Sequence, residues 1–201
     1  HRLVLYTLEA GDCLFCVQIK QRYNNIKNIG GYSGMICFGV DIGGTTVKLG
    51  MFSEAGDLLE KWEIPTRKEN AGANIVFDIC TSMDKHLADA GYNTTDVKGV
   101  GVGVPGPVMK DGTVNGCVNL GWGVFNIERA FSDSFHGVPC KAGNDANVAA
   151  LGEYFKGGGR GYSDMLMVTL GTGVGGGVIL DGRIVAGATG AVGEMLLPGT
   201  A

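Results

Sequence analysis

The chain has 201 residues, 45% of them hydrophobic and 18% charged, which supplies a sizeable core and argues against disorder. Its formal net charge of −4 argues against nucleic acid or an anionic membrane as the main partner. Glycine, at 36 residues, is well above the usual share of about 7% but follows no collagen period; it clusters at 39–50, 99–106, 157–161, 171–177 and 187–193, which marks turns.

Residues 1–34 share no helix or strand pattern with the rest of the chain and read as an N-terminal extension, disordered or not native. The apolar run 3–8 is too short for a signal sequence and is followed by Glu9 and Asp12, and no stretch approaches transmembrane length. Met35 directly precedes the first core strand and is the expected native start. A DNA-binding arm is the competing reading, against which Arg2, Lys20, Arg22 and Lys27 are the segment's only Lys or Arg and no helix-turn-helix pattern is visible. Cys13 and Cys16 form a C-x-x-C without a partner pair, which speaks against zinc. With Cys37, Cys80, Cys117 and Cys140 they make no disulfide framework, as suits a reducing cytoplasm.

The stretch 37–52 reads as strand, glycine turn and returning strand. Phe38, Val40 and Ile42 lead into the turn, and Val47, Leu49 and Met51 come after it. Gly43 and Gly44 leave the backbone bare, so N–H groups can approach a phosphate closely; Thr45 and Thr46 add hydroxyl donors. Asp41, at the end of a buried strand, can hold Mg²⁺ directly or through a water. The spacing is not that of a P-loop, and a strand rather than a helix comes next, unlike a Rossmann turn. The plainer reading is an ordinary tight hairpin.

A third strand is expected over 58–64, ended by Pro65. Asn70 is expected to cap a helix carrying Ile75, Val76, Ile79, Met83 and Leu87 on one face, ended by Gly91. His86, among polar neighbours, reads as a surface residue. Residues 97–104 form a glycine-spaced buried strand running into the stiff loop 104–108. Asp111-Gly112 is a turn, Asn126 caps a short helix over 127–135, and 138–142 is another strand. Three strands first and then alternation predict a mixed sheet.

Residues 141–153 leave that strand and enter a helix with Asp145 near its N-terminus. Either Asn144 or Asp145 simply caps the helix, or Asp145 faces a cleft and takes a proton from a substrate hydroxyl. The helix N-terminus favours its ionised form and also lowers its basicity, so positioning must count as much as proton affinity. A second pattern then echoes the first: strand 164–170, glycine turn 171–177 bearing Thr172, returning strand 178–180, the turn Asp181-Gly182, and strand 183–185. Two such hairpins suggest a duplicated unit with a phosphate loop on each half and a nucleotide between them.

The motifs Asp41-Ile42-Gly43-Gly44-Thr45, Gly103-Val104-Pro105-Gly106-Pro107, Asn119-Leu120-Gly121-Trp122, Asn144-Asp145-Ala146-Asn147 and 170–177 occur in this order. Together they resemble the ROK family of sugar kinases and sugar-responsive repressors over about residues 35–195, and the opening glycine turn is most similar to the family's bacterial glucokinases. The resemblance implies an α/β fold of the actin-like, ribonuclease H-like kind: an N-terminal lobe over 35–144, then a connecting helix and the start of a second lobe over 145–201. It implies ATP, with Mg²⁺ near Asp41, held by residues 39–46 and 171–178, among them Gly39, Gly43, Gly44, Thr45, Thr46, Gly171, Thr172, Gly173, Gly175 and Gly176. It implies that Asn119, Asn144 and Asp145 bind a hexose, that Asp145 is the general base on its 6-hydroxyl, and that Glu194 binds near its anomeric end. A cytoplasmic enzyme that is a homodimer at full length is the expectation.

The end of the chain departs from the family pattern. A histidine usually comes after the glutamate, and a cysteine-rich zinc motif after that; here Leu197 takes the histidine's place and no later cysteine exists, so no zinc is expected. The second lobe would lack helices that cover its sheet, which reads as a partial chain. The alternative function is a sugar-binding repressor or sensor without kinase activity; a non-catalytic actin-like ATPase is weaker still, given Asn119 and Asn144-Asp145.

Overall fold

The computed structural model describes residues 34–170, 173–187 and 194–196. The expectations for residues 1–33, including the C-x-x-C, for Gly171 and Thr172, and for 188–193 and 197–201 lie outside the described residues. Alternating apolar residues of the opening hairpin build the centre of a five-stranded sheet from β1 (Ile36–Ile42), β2 (Thr46–Ser53), β3 (Leu58–Pro65), β4 (Val97–Val104) and β7 (Cys140–Asn144). The order is β3-β2-β1-β4-β7, antiparallel across β3, β2 and β1 and parallel across β1, β4 and β7, which is the mixed sheet expected.

Helix α1 (Ile75–Asp89) buries Ile75, Ile79, Met83 and Leu87 against this sheet, together with Cys80. Its start differs from expectation. Asn70 does not cap it, because Asn70, Ala71 and Gly72 all hold positive φ (53°, 56° and 67°) and turn the chain before the helix starts. The helix begins after Asn74, and Glu69–Gly72 forms a separate turn. His86 is half-buried rather than a plain surface residue: its ring stacks on Trp62 at 3.9 Å, and its Nδ1 lies 2.7 Å from Glu60.

Helix α2 (Ile127–Ser134) is capped as expected, the Asn126 side chain accepting a hydrogen bond from the Arg129 N–H at 2.8 Å. The hairpin β5 (Thr113–Cys117) and β6 (Trp122–Asn126) was not legible, since glycines interrupt both short strands. Its tip is a single 3-10 turn, Val118–Leu120.

Helix α3 (Asp145–Phe155) leads from β7 toward a second sheet of β8 (Met165–Leu170), β9 (Gly173–Leu180), β10 (Arg183–Ile184) and β11 (Glu194–Leu196). The strand–turn–strand echo holds in order, β8, β9 and β10 pairing antiparallel in succession. Gly173 to Gly177, expected in a glycine turn, belong to β9. Packing explains those glycines: a Cβ on Gly177 would lie 2.3 Å from the Ala150 Cβ of α3, and one on Gly175 would lie 2.7 Å from Thr169 Oγ1.

Candidate functional site

Three parallel strands end side by side, and their C-terminal residues form the candidate site. Asp41 on β1 is level with Gly103 on β4, which is level with Gly143 on β7, one residue before the Asn144–Asp145 strand–helix junction. The C-terminal edge of parallel strands is where open α/β sheets place ligands, since backbone and helix N-termini converge there. Gly103 is the gap between two acids: a Cβ there would stand 3.7 Å from Asp41 Oδ1 and 3.7 Å from the Asp145 Cα. The fold thus brings Asp41 and Asp145 together from distant points of the chain.

Of the two residues that could cap the helix, Asn144 makes the cap. Buried at 1% exposure, its Oδ1 accepts from the N–H groups of Ala146 at 3.1 Å and Asn147 at 3.3 Å. Its Nδ2 donates to the Gly106 carbonyl at 3.4 Å, which ties the helix end to the stiff loop after β4. Asp145 is the first helical residue and half-buried, with Oδ1 accepting from the Ala146 N–H at 2.8 Å. Burial raises the Asp41 pKa above its usual 3.8, and the charge of Lys48 pulls the other way. Lys48 pairs with Asp41 across the hairpin, a partner that simple alternation along the two strands could have found.

The glycine turn is bridged internally and braced from outside. The Gly43 N–H donates to the Thr46 carbonyl at 3.0 Å, so a Cβ on Gly43, which would sit 2.6 Å from that oxygen, has no room. Thr66, just past β3, donates its hydroxyl to the Gly43 carbonyl at 2.7 Å and its N–H to the Thr45 carbonyl at 2.9 Å. Nothing in the sequence pattern singled out Thr66. Among the described residues no acceptor is found for the N–H groups of Gly44 and Thr45, and Thr45 is exposed. Gly39 lies within β1, paired with Gly50 of β2 and Gly101 of β4.

Asn119 is exposed in the Val118–Leu120 turn, and its carbonyl lies 4.0 Å from where a Gly44 Cβ would be. Asp41, Gly44, Gly103 and Asn119 therefore share one end of the sheet with Asp145. Gly173, Gly175 and Gly176 lie in β9 and not in a turn, and Glu194 opens β11 opposite Gly175. Among the described residues no group of three His, Cys, Asp or Glu gathers to hold a metal. Cys37, Cys80, Cys117 and Cys140 are buried. Burial pushes the Cys80 thiol up to about 12 and raises that of Cys140, which leaves both poor nucleophiles. No helix among the described residues is long and apolar enough to cross a membrane.

The chain is 43% identical over 158 residues to a glucokinase of Halalkalibacterium halodurans, covering 78% of this chain and 48% of that protein. It is similar in fold to a ROK family glucokinase of Streptomyces griseus solved in complex with glucose and AMPPNP, at TM-score 0.68 and 34% identity over 79% of this chain and 49% of that one. A ROK hexokinase of Thermus thermophilus matches at TM-score 0.67 and 34% identity, covering 82% of this chain and 55% of that one. The chain spans about half the length of the curated relatives it matches. The ROK family model matches residues 37–195, a stretch that carries Asp41, Gly103, Asn119 and Asp145 together, and the chain belongs to the ROK family.

Proposed function

We propose that this chain forms the catalytic face of an ATP-dependent hexose kinase that acts on the 6-hydroxyl, with glucose the favoured substrate and the cytoplasm its compartment. The observation that carries the reading is the placement of Asp145 at a helix N-terminus, across Gly103 from Asp41, at the ends of parallel strands. ATP with Mg²⁺, when bound, supplies the γ-phosphoryl group. The residues present suit that ligand: Gly44 and Thr45 offer N–H groups, and Asp41 is a single carboxylate at a strand end, which fits a cation that keeps most of its waters.

Asp145 holds the sugar's 6-hydroxyl and receives its proton on the carboxylate, so that the oxygen can attack in line. Asn119 presents an amide, donor and acceptor in fixed geometry, to other hydroxyls of the sugar. Asn144 is assigned to the sugar site as well, at the cap that fixes α3. Glu194 is assigned to the anomeric end of the sugar, and 171–178, with Gly171, Thr172, Gly173, Gly175 and Gly176, to the phosphates from the second sheet. The relative solved with glucose and AMPPNP supports the pairing of ligands.

The test is coupled ADP release by the full-length protein with glucose, mannose, fructose and N-acetylmannosamine. Hexose-dependent release with the highest kcat/KM for glucose is expected. Saturable sugar binding without ADP release would favour a repressor or sensor.

A further inference from the structure

The turn Asn70-Ala71-Gly72 is the most unusual backbone in the described residues. Three successive residues hold left-handed φ, two of them not glycine, and such conformations persist only where the surroundings enforce them. The enforcing contacts come from the hairpin that carries Asn119. The Trp122 indole N–H donates to the Gly72 carbonyl at 3.1 Å in a buried contact. A Cβ on Gly72 would lie 2.6 Å from the Leu120 carbonyl oxygen and 2.7 Å from Trp122 Nε1. Gly121, itself at φ +74, is so close to Ala71 that a Cβ there would stand 3.2 Å from the Ala71 Cα. On its other side the same tip meets the glycine turn, through the Asn119 carbonyl near Gly44.

We propose that Trp122 is a positioning residue for the sugar site: by clasping the left-handed turn it sets where the tip 118–120 stands, and so where Asn119 meets the substrate. This rests on the hexose reading above. The left-handed turn acts as a wedge beneath the tip, and the indole hydrogen bond is its latch. Asn119 is exposed and sits on a single 3-10 turn, so it has little packing of its own to fix it.

The experiment uses the full-length protein. Trp122→Phe keeps an aromatic ring and removes the donor. It is expected to raise KM for glucose about tenfold while kcat stays within about threefold and KM for ATP is unchanged. Asn119→Ala is expected to raise KM for glucose similarly, and the double variant no further, because both changes remove one interaction. An unchanged KM in Trp122→Phe, or additive effects in the double variant, overturns the proposal. A second readout needs no variant of the site: with the indole N–H resonances assigned, saturating glucose should shift that of Trp122 and leave that of Trp62 in place. A stationary Trp122 resonance in a protein that does bind glucose overturns the positioning role. A wild-type protein that saturates with no hexose overturns the hexose reading instead.

Discussion

Asp41 shows how a single position carries opposed demands. Its carboxylate belongs at the end of a buried strand, where a cation can reach it, and burial there disfavours the charge. Because folding raises its pKa above 3.8, the native state binds this proton more tightly than the unfolded chain does. Its contribution to stability is therefore full at acid pH and is lost as pH rises through the folded-state value. Asp41→Asn should raise Tm by about 2 °C near neutral pH, the gain shrinking as pH falls, and should cost activity. Thermal melts across pH check this; a variant less stable than wild type at neutral pH contradicts it. The identity of Asp41 and Asp145 as candidate site residues was legible from their strand-end and helix-start positions. That Gly103 would be the spacer between them was not, because the register of β1, β4 and β7 is a property of long-range pairing.

At the scale of elements, α3 is the component on which the site turns. It is fastened at its start by the Asn144 cap and along its length by the glycines of β9. Asn144→Ala should destabilise the chain by about 1–2 kcal/mol, since it takes an acceptor from the Ala146 and Asn147 N–H groups and a donor from the Gly106 carbonyl, while Asn144→Asp keeps the acceptor, lacks the donor and should recover only part of that loss. Chemical denaturation distinguishes the two; equal losses would assign the contribution of Asn144 to its bond with the Gly106 carbonyl and not to the cap. Helices with a clean apolar face were readable, as α1 and α2 are. The hairpin β5–β6 was not, because Gly116 and Gly123 break its alternation and its pairing partner lies across a tip with a left-handed Gly121. The glycines 173–177 misled in the opposite direction. Glycine signals a turn and a close approach alike, and only the packing of Ala150 on Gly177 separates the two.

Across the molecule, the two sheets are unequal in how they are covered. Helix α3 packs on the face of the second sheet that carries Met167, Gly177 and Ile179, whereas Leu166 and Leu180 point away from it and are 47% and 52% exposed. Apolar side chains in a row on an open face favour association. The variant with both leucines changed to lysine should keep the circular dichroism of this 201-residue chain and reduce its self-association in sedimentation velocity. Unchanged association would place the sticky surface elsewhere. The mixed five-stranded sheet was readable as a whole, from the strand count and the order of elements. The pairing of β11 beside β10 on one edge of β9 was not, since three residues carry no periodic signal.

The central claim is that the carboxylate of Asp145 takes the proton of a bound sugar, and steady-state kinetics of Asp145→Asn in the full-length protein test it most directly. The substitution keeps size and hydrogen-bonding capacity and removes the base. A fall in kcat of at least about 10²-fold, with glucose affinity kept within a few-fold, is the predicted result. Turnover equal to that of the wild type would contradict it.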